Sequence, residues 1–195
     1  MIGPGARRQP DARAHGGSPV TYYGASDLAA SLRLVRKNTL QIANELTEAQ
    51  YGFVAAPGMR TVGQLLTHVA FIYRLQHQLH AVERRTTVAG FDFVAFIRSV
   101  VGEEGTPRTK AEILELLTSG GASWAAWVEA QSEEFLAERV VFPGEPPTSK
   151  SRFEMLLATK EHEMHHRGQL MLIQRMLGIV PHLTRERQAR MQAAR

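Results

Sequence analysis

The sequence predicts an all-α fold: a four-helix bundle with a long crossover between the second and third helices that carries a short extra helix. Three observations predict it. Four long segments repeat apolar residues at spacings of three and four. Three of those segments open on a capping-box pattern. No segment alternates as a convincing strand.

Residues 1–20 contain Gly3, Pro4, Gly5, Pro10, Gly16, Gly17 and Pro19 and no apolar period, so a disordered leader is expected there. The helix-bundle domain is expected over residues 21–181. Its first helix covers residues 26–46, with Ser26 as the cap and Leu28, Leu32, Val35, Thr39, Ile42 and Leu46 inward. The second opens on Thr61-x-x-Gln64 and points Leu65, His68, Ile72, Leu75, Leu79 and Val82 inward. Residues 83–108 form the crossover, where Phe91, Phe93, Val94, Phe96 and Ile97 suggest the extra helix. A link of that length lets the second and third helices run parallel.

The third helix opens on Thr109-x-x-Glu112 and carries Ile113, Leu117, Trp124, Trp127 or Val128, and Phe135. Gly120 and Gly121 lie inside it at a cost of about 1 kcal/mol each relative to Ala, for which a close neighbour, space for a ligand or a kink are the readings. Val140, Val141 and Phe142 are at best a short extended piece. The fourth helix opens on Ser151-x-x-Glu154, with Met155, Thr159, His162, His166, Gln169, Ile173 and Met176 inward, and Gly178 and Pro181 stop it. Residues 182–195 are expected as a solvated basic tail.

Charge and composition exclude several classes. The net charge is +4, but residues 1–20 hold +2 and residues 182–195 hold +3, leaving −1 on the 161 residues between them. A nucleic-acid partner is therefore not expected. No apolar run reaches the ~18–20 residues of a membrane span. The chain has no cysteine, which removes disulfides, thiolate ligands and a cysteine nucleophile. A cytoplasmic location is the expectation.

The chemistry lies in histidines. His162 and His166 are four apart and project from one helix face. His68 shares an inner stripe on another helix. Three neutral imidazoles hold a divalent transition metal and leave one position open, as catalytic sites do; zinc and nickel are the expected metals. The rival reading is core histidines with backbone partners. Glu163, beside His162, is a candidate general base for metal-bound water, against a solvated flank of the helix. Gln169 is expected as a packed amide or as a hydrogen-bond partner of a ligand. His165 is expected at the surface, and His15, His77, His80 and His182 are expected to be solvated. The stretch from His162 to His166 matches H-E-x-x-H, but positions 169 and 172 are Gln and Leu, so the extended peptidase form is absent.

The stretches PGMRTVGQLLTH over 57–68, HEMHHRGQL over 162–170 and RMLG over 175–178 resemble the DinB-like (DinB/YfiT) superfamily of small bacterial helix-bundle proteins. The resemblance spans about residues 25–180. It implies a four-helix bundle with a long crossover, a divalent metal on His68, His162 and His166, a homodimer, and a small-molecule substrate. The activities it implies are metal-dependent: transfer of a low-molecular-weight thiol to an electrophile, a related isomerisation, or hydrolysis using metal-bound water. A non-catalytic metal-binding or stress-response module is the remaining expectation.

Overall fold

The structure is a computed structural model that describes residues 23–194; the expected leader and His15 lie outside the described residues. The bundle consists of α1 (Ala25–Glu45), α2 (Val62–Phe71) continued by α3 (Arg74–His77) and a π turn (Gln78–Val82), α5 (Lys110–Glu129) and α7 (Arg152–Met176). The crossover carries α4 (Phe93–Glu104). A short 3-10 turn (Glu48–Gly52) follows α1, and α6 (Glu133–Ala137) follows α5.

The helices start where the capping signals place them. The Gln64 N–H donates to Thr61 Oγ1 at 3.1 Å and the Gln64 side chain accepts from the Thr61 N–H. Thr109 with Glu112, and Ser151 with Glu154, close the same reciprocal box. The first helix differs from expectation: Gly24, not Ser26, is its cap, because its N–H donates to Asp27.

Residue pairs define the topology. Arg33 meets Glu129 while Lys110 reaches the Leu46 carbonyl, so α1 and α5 are antiparallel. Arg36 meets Glu163 and Glu45 meets Gln174, so α1 and α7 are parallel. Gly63 lies against Ile113 and Gly120 against Tyr73, so α2 with α3 runs parallel to α5, as the long crossover permits. One apolar cluster joins Ile42, Leu66, Leu117 and Ile173; a second joins Leu28, Trp124, Val128 and Leu156 at the opposite end.

Several expectations are corrected. The second helix is not continuous: it breaks after Phe71, and the π turn inserts a residue that rotates later side chains by ~100°. Val82, expected inward, is consequently 58% exposed, whereas His80, expected in solvent, is fully buried. The third helix ends at Glu129, and Phe135 belongs to α6, capped by Ser132. Val140 lies in a real strand: β1 (Arg139–Phe142) pairs antiparallel with β2 (Thr148–Ser151), and the Val88 N–H donates to the Val141 carbonyl on β1's other edge. On α7, Met176 faces solvent and His162, expected inward, is exposed, while Glu163 and Leu170 are buried. Residues expected as a solvated tail form α8 (His182–Ala193), with His182 buried and Arg185 paired to Glu45 at 2.5 Å. His77 is also drawn in, edge-on to Trp124 and Trp127.

Candidate metal centre

His68 lies in the second half of α2 and His162 and His166 lie mid-way along α7. The antiparallel packing of these helices brings the three rings together. Their centroids are 4.8–5.2 Å apart. One ligand nitrogen from each lies within 4.8 Å of the other two. The Nε2 atoms of His68 and His162 are 3.3 Å apart. That equals the separation of about 3.3 Å between nitrogens that hold one tetrahedral zinc at 2.0–2.1 Å.

Hydrogen bonds at the far side of two rings aim their Nε2 atoms inward. Glu104 Oε1 lies 2.6 Å from His68 Nδ1 and accepts its proton. Glu104 is itself buried, and its other oxygen accepts from Arg60 at 3.0 and 3.2 Å. Gln169 Oε1 accepts from His166 Nδ1 at 2.8 Å, and the Gln169 amide nitrogen donates to His165. Gln169 therefore acts as a hydrogen-bond partner of a candidate ligand, and His165 is exposed, as expected.

His166 Nε2 is buried without a hydrogen-bond partner among the described residues. An orphaned imidazole nitrogen costs free energy that a metal ion would offset. Burial holds the His166 pKa down at about 4, with lesser contributions from the neighbouring histidines, so the ring is neutral and its lone pair free. Burial, then His68, lowers His162 as well. The donor set, tautomers and spacing all fit a divalent transition metal.

Glu163 is not a solvated flank. It is buried, and its two oxygens accept from Arg36 Nε and Nη2 at 2.9 and 3.0 Å. Arg36 also donates to the Leu117 carbonyl at 2.6 Å and the Val69 carbonyl at 3.2 Å. One guanidinium thus ties α1 to α7, α5 and α2, at residues adjacent to His68 and His162. Val69 lies in the last turn of α2, where carbonyls lack helical partners. Gly121 lets the arginine approach: a Cβ there would sit 2.9 Å from Arg36 Cγ.

A mostly apolar cleft opens beside the trio, lined by residues of α2, α3, α4 and α7. A second, more polar compartment with Trp124, Trp127 and His77 adjoins it across Phe96 and Val100.

The family model of the DinB superfamily matches residues 31–170. The chain belongs to the DinB superfamily. YfiT from Bacillus subtilis, described as a probable metal-dependent hydrolase with an unusual four-helix bundle topology, superposes with a TM-score of 0.62 at 18% identity, over 82% of this chain and 91% of YfiT. The DinB-like protein YjoA from the same organism superposes at 0.56 and 17% identity, over 77% of this chain and 92% of YjoA. No curated protein matches the chain. This DinB protein shares the helical-bundle fold of both structures. Among its described residues no helix is long and apolar enough to cross a membrane.

Sequence reasoning missed Glu104 and Arg36. An arginine on the apolar face of α1, between Val35 and Thr39, was a readable signal. Glu104 carried none, since its partner His68 is 36 residues away.

Proposed function

We propose that His68, His162 and His166 hold a divalent transition metal, zinc or nickel, and that the chain is a metal-dependent enzyme acting on a small molecule. The support is the buried His166 Nε2, without a hydrogen-bond partner among the described residues, close to two other ring nitrogens. A bound divalent ion lowers the pKa of water or a thiol and polarises an electrophile. The chain's own residues orient the ligands. Glu104 and Gln169 hold the Nδ1 protons, and the Arg36–Glu163 pair fixes α2, α5 and α7 around the site. The apolar cleft keeps bulk water from the reacting bond.

Hydrolysis is favoured by the likeness to YfiT, whose description names that activity. Transfer of a low-molecular-weight thiol to an electrophile is favoured by the second compartment, which leaves room for a co-substrate beside the cleft. In both, the nucleophile comes from outside the cysteine-free chain. A homodimer is part of the same reading, through the family resemblance.

Zinc- or nickel-loaded protein is assayed with a panel of aryl esters without thiol, and with aryl halides plus glutathione or cysteine. Chelator-sensitive turnover of the esters alone supports hydrolysis. Turnover that requires the thiol supports transfer. Full metal content with neither activity removes the enzyme reading and leaves a metal-binding module.

A further inference from the structure

The cleft beside the trio is built for a particular chemistry. Phe71, Ile72, Leu75, Phe96, Ile97 and Val100 supply most of its wall. Among the described residues Glu104 is the one acidic or basic side chain besides the histidines that lines it, and His68 and Arg60 occupy both of its oxygens. Thr159 is also committed: its hydroxyl donates to the Leu156 carbonyl at 2.7 Å and accepts from Trp124 Nε1 at 3.3 Å. Away from the histidine trio, this wall offers a phosphate, carboxylate or sugar no free side-chain partner, so such a group there would lose hydration without compensation.

Gln76 is the exception. Arg152 Nη1 donates to His80 Nδ1 at 2.7 Å, which forces the His80 proton onto Nε2. That proton goes to Gln76 Oε1 at 2.9 Å. The buried Arg152–His80 pair therefore fixes which end of the Gln76 amide is oxygen. Gln76 Nε2, a donor with no partner among the described residues, is left for the cleft that Gln76 lines with His68 and His162.

We infer that the cleft takes an uncharged molecule that carries an alkyl or aryl group beside a hydrogen-bond acceptor, and that Gln76 Nε2 donates to that acceptor next to the histidine trio. As a substrate site it rests on the metal-enzyme reading, but not on the choice between water and thiol. It adds a specificity-determining residue, Gln76, held by a relay of two side chains that do not themselves line the cleft.

The test is an NMR titration of zinc-loaded protein with straight-chain amides from propanamide to octanamide, with zinc content measured on the same samples. Affinity is expected to rise about four-fold per added methylene until the cleft is filled. Gln76→Leu is expected to lower affinity about five-fold along the series while leaving the chain-length dependence and the zinc intact. Gln76→Glu keeps an acceptor for His80, guards against a folding defect, and is expected to show at least the same loss. Affinity independent of chain length, or unchanged in both Gln76 variants, overturns the inference while retained zinc leaves the metal centre standing. Failure of the wild-type protein to hold zinc strikes the metal centre instead.

Discussion

Two of the three candidate ligands, His68 and His166, are each aimed by one identifiable partner, and those partners are where single substitutions are most informative. Glu104 fixes the tautomer of His68 from a buried position. Replacing such an outer partner typically costs ~10–100-fold in metal affinity. Glu104→Ala is therefore expected to weaken zinc binding by about that factor in a competition titration, with the helical content unchanged. Glu163 separates two roles by their readouts. Because it neutralises a buried arginine, Glu163→Ala should cost about 3–5 kcal/mol of stability, measured by denaturant unfolding. A general base would instead lose activity at full stability. The histidine pair was legible in the sequence because a four-residue spacing on a helix is a local signal. Glu104 was not, because nothing near position 104 reports an imidazole arriving from another helix.

Periodicity and capping boxes located α1, α5 and α7 and the start of α2, but misplaced the cap of α1 and the end of α5. They were blind to the π turn, since one inserted residue changes which face is buried without changing composition. They were equally blind to β2, whose Thr-Ser-Lys-Ser has no apolar alternation. The two glycines inside α5 have a packing cause. At Gly120 a Cβ would lie 3.1 Å from the Tyr73 ring, and at Gly121 it would lie 2.9 Å from Arg36. Gly121→Ala is expected to destabilise the bundle despite the ~1 kcal/mol of helix propensity that alanine adds. At Gly168, in α7, an added Cβ would meet no atom within 4 Å, and Gly168→Ala is expected to stabilise by about 0.5–1 kcal/mol. Thermal melts of the two variants should shift in opposite directions.

Across the whole molecule, His80 couples stability to pH. It is enclosed by Arg152, Gln76 and, through Arg152, Glu138. Burial first, then the Arg152 charge, pushes its pKa down to about 4 from an ordinary 6.5. Between those values the unfolded chain binds the proton that the folded chain refuses, so stability rises with pH. The contribution is fully present above about pH 6.5, is lost as pH falls toward 4, and is on the order of 3 kcal/mol. Denaturant midpoints should fall across that window, and His80→Asn should reduce the dependence, leaving the part that His166 contributes.

The same bundle that buries His80 brings three imidazoles together, and metal stoichiometry tests directly whether they hold one ion. Elemental analysis of purified wild-type protein beside His166→Ala, both reloaded with zinc and desalted, is expected to give about one zinc per chain for the wild type and a loss of most of it in the variant. Equal zinc in the two proteins, or none in the wild type, would contradict a centre built from His68, His162 and His166.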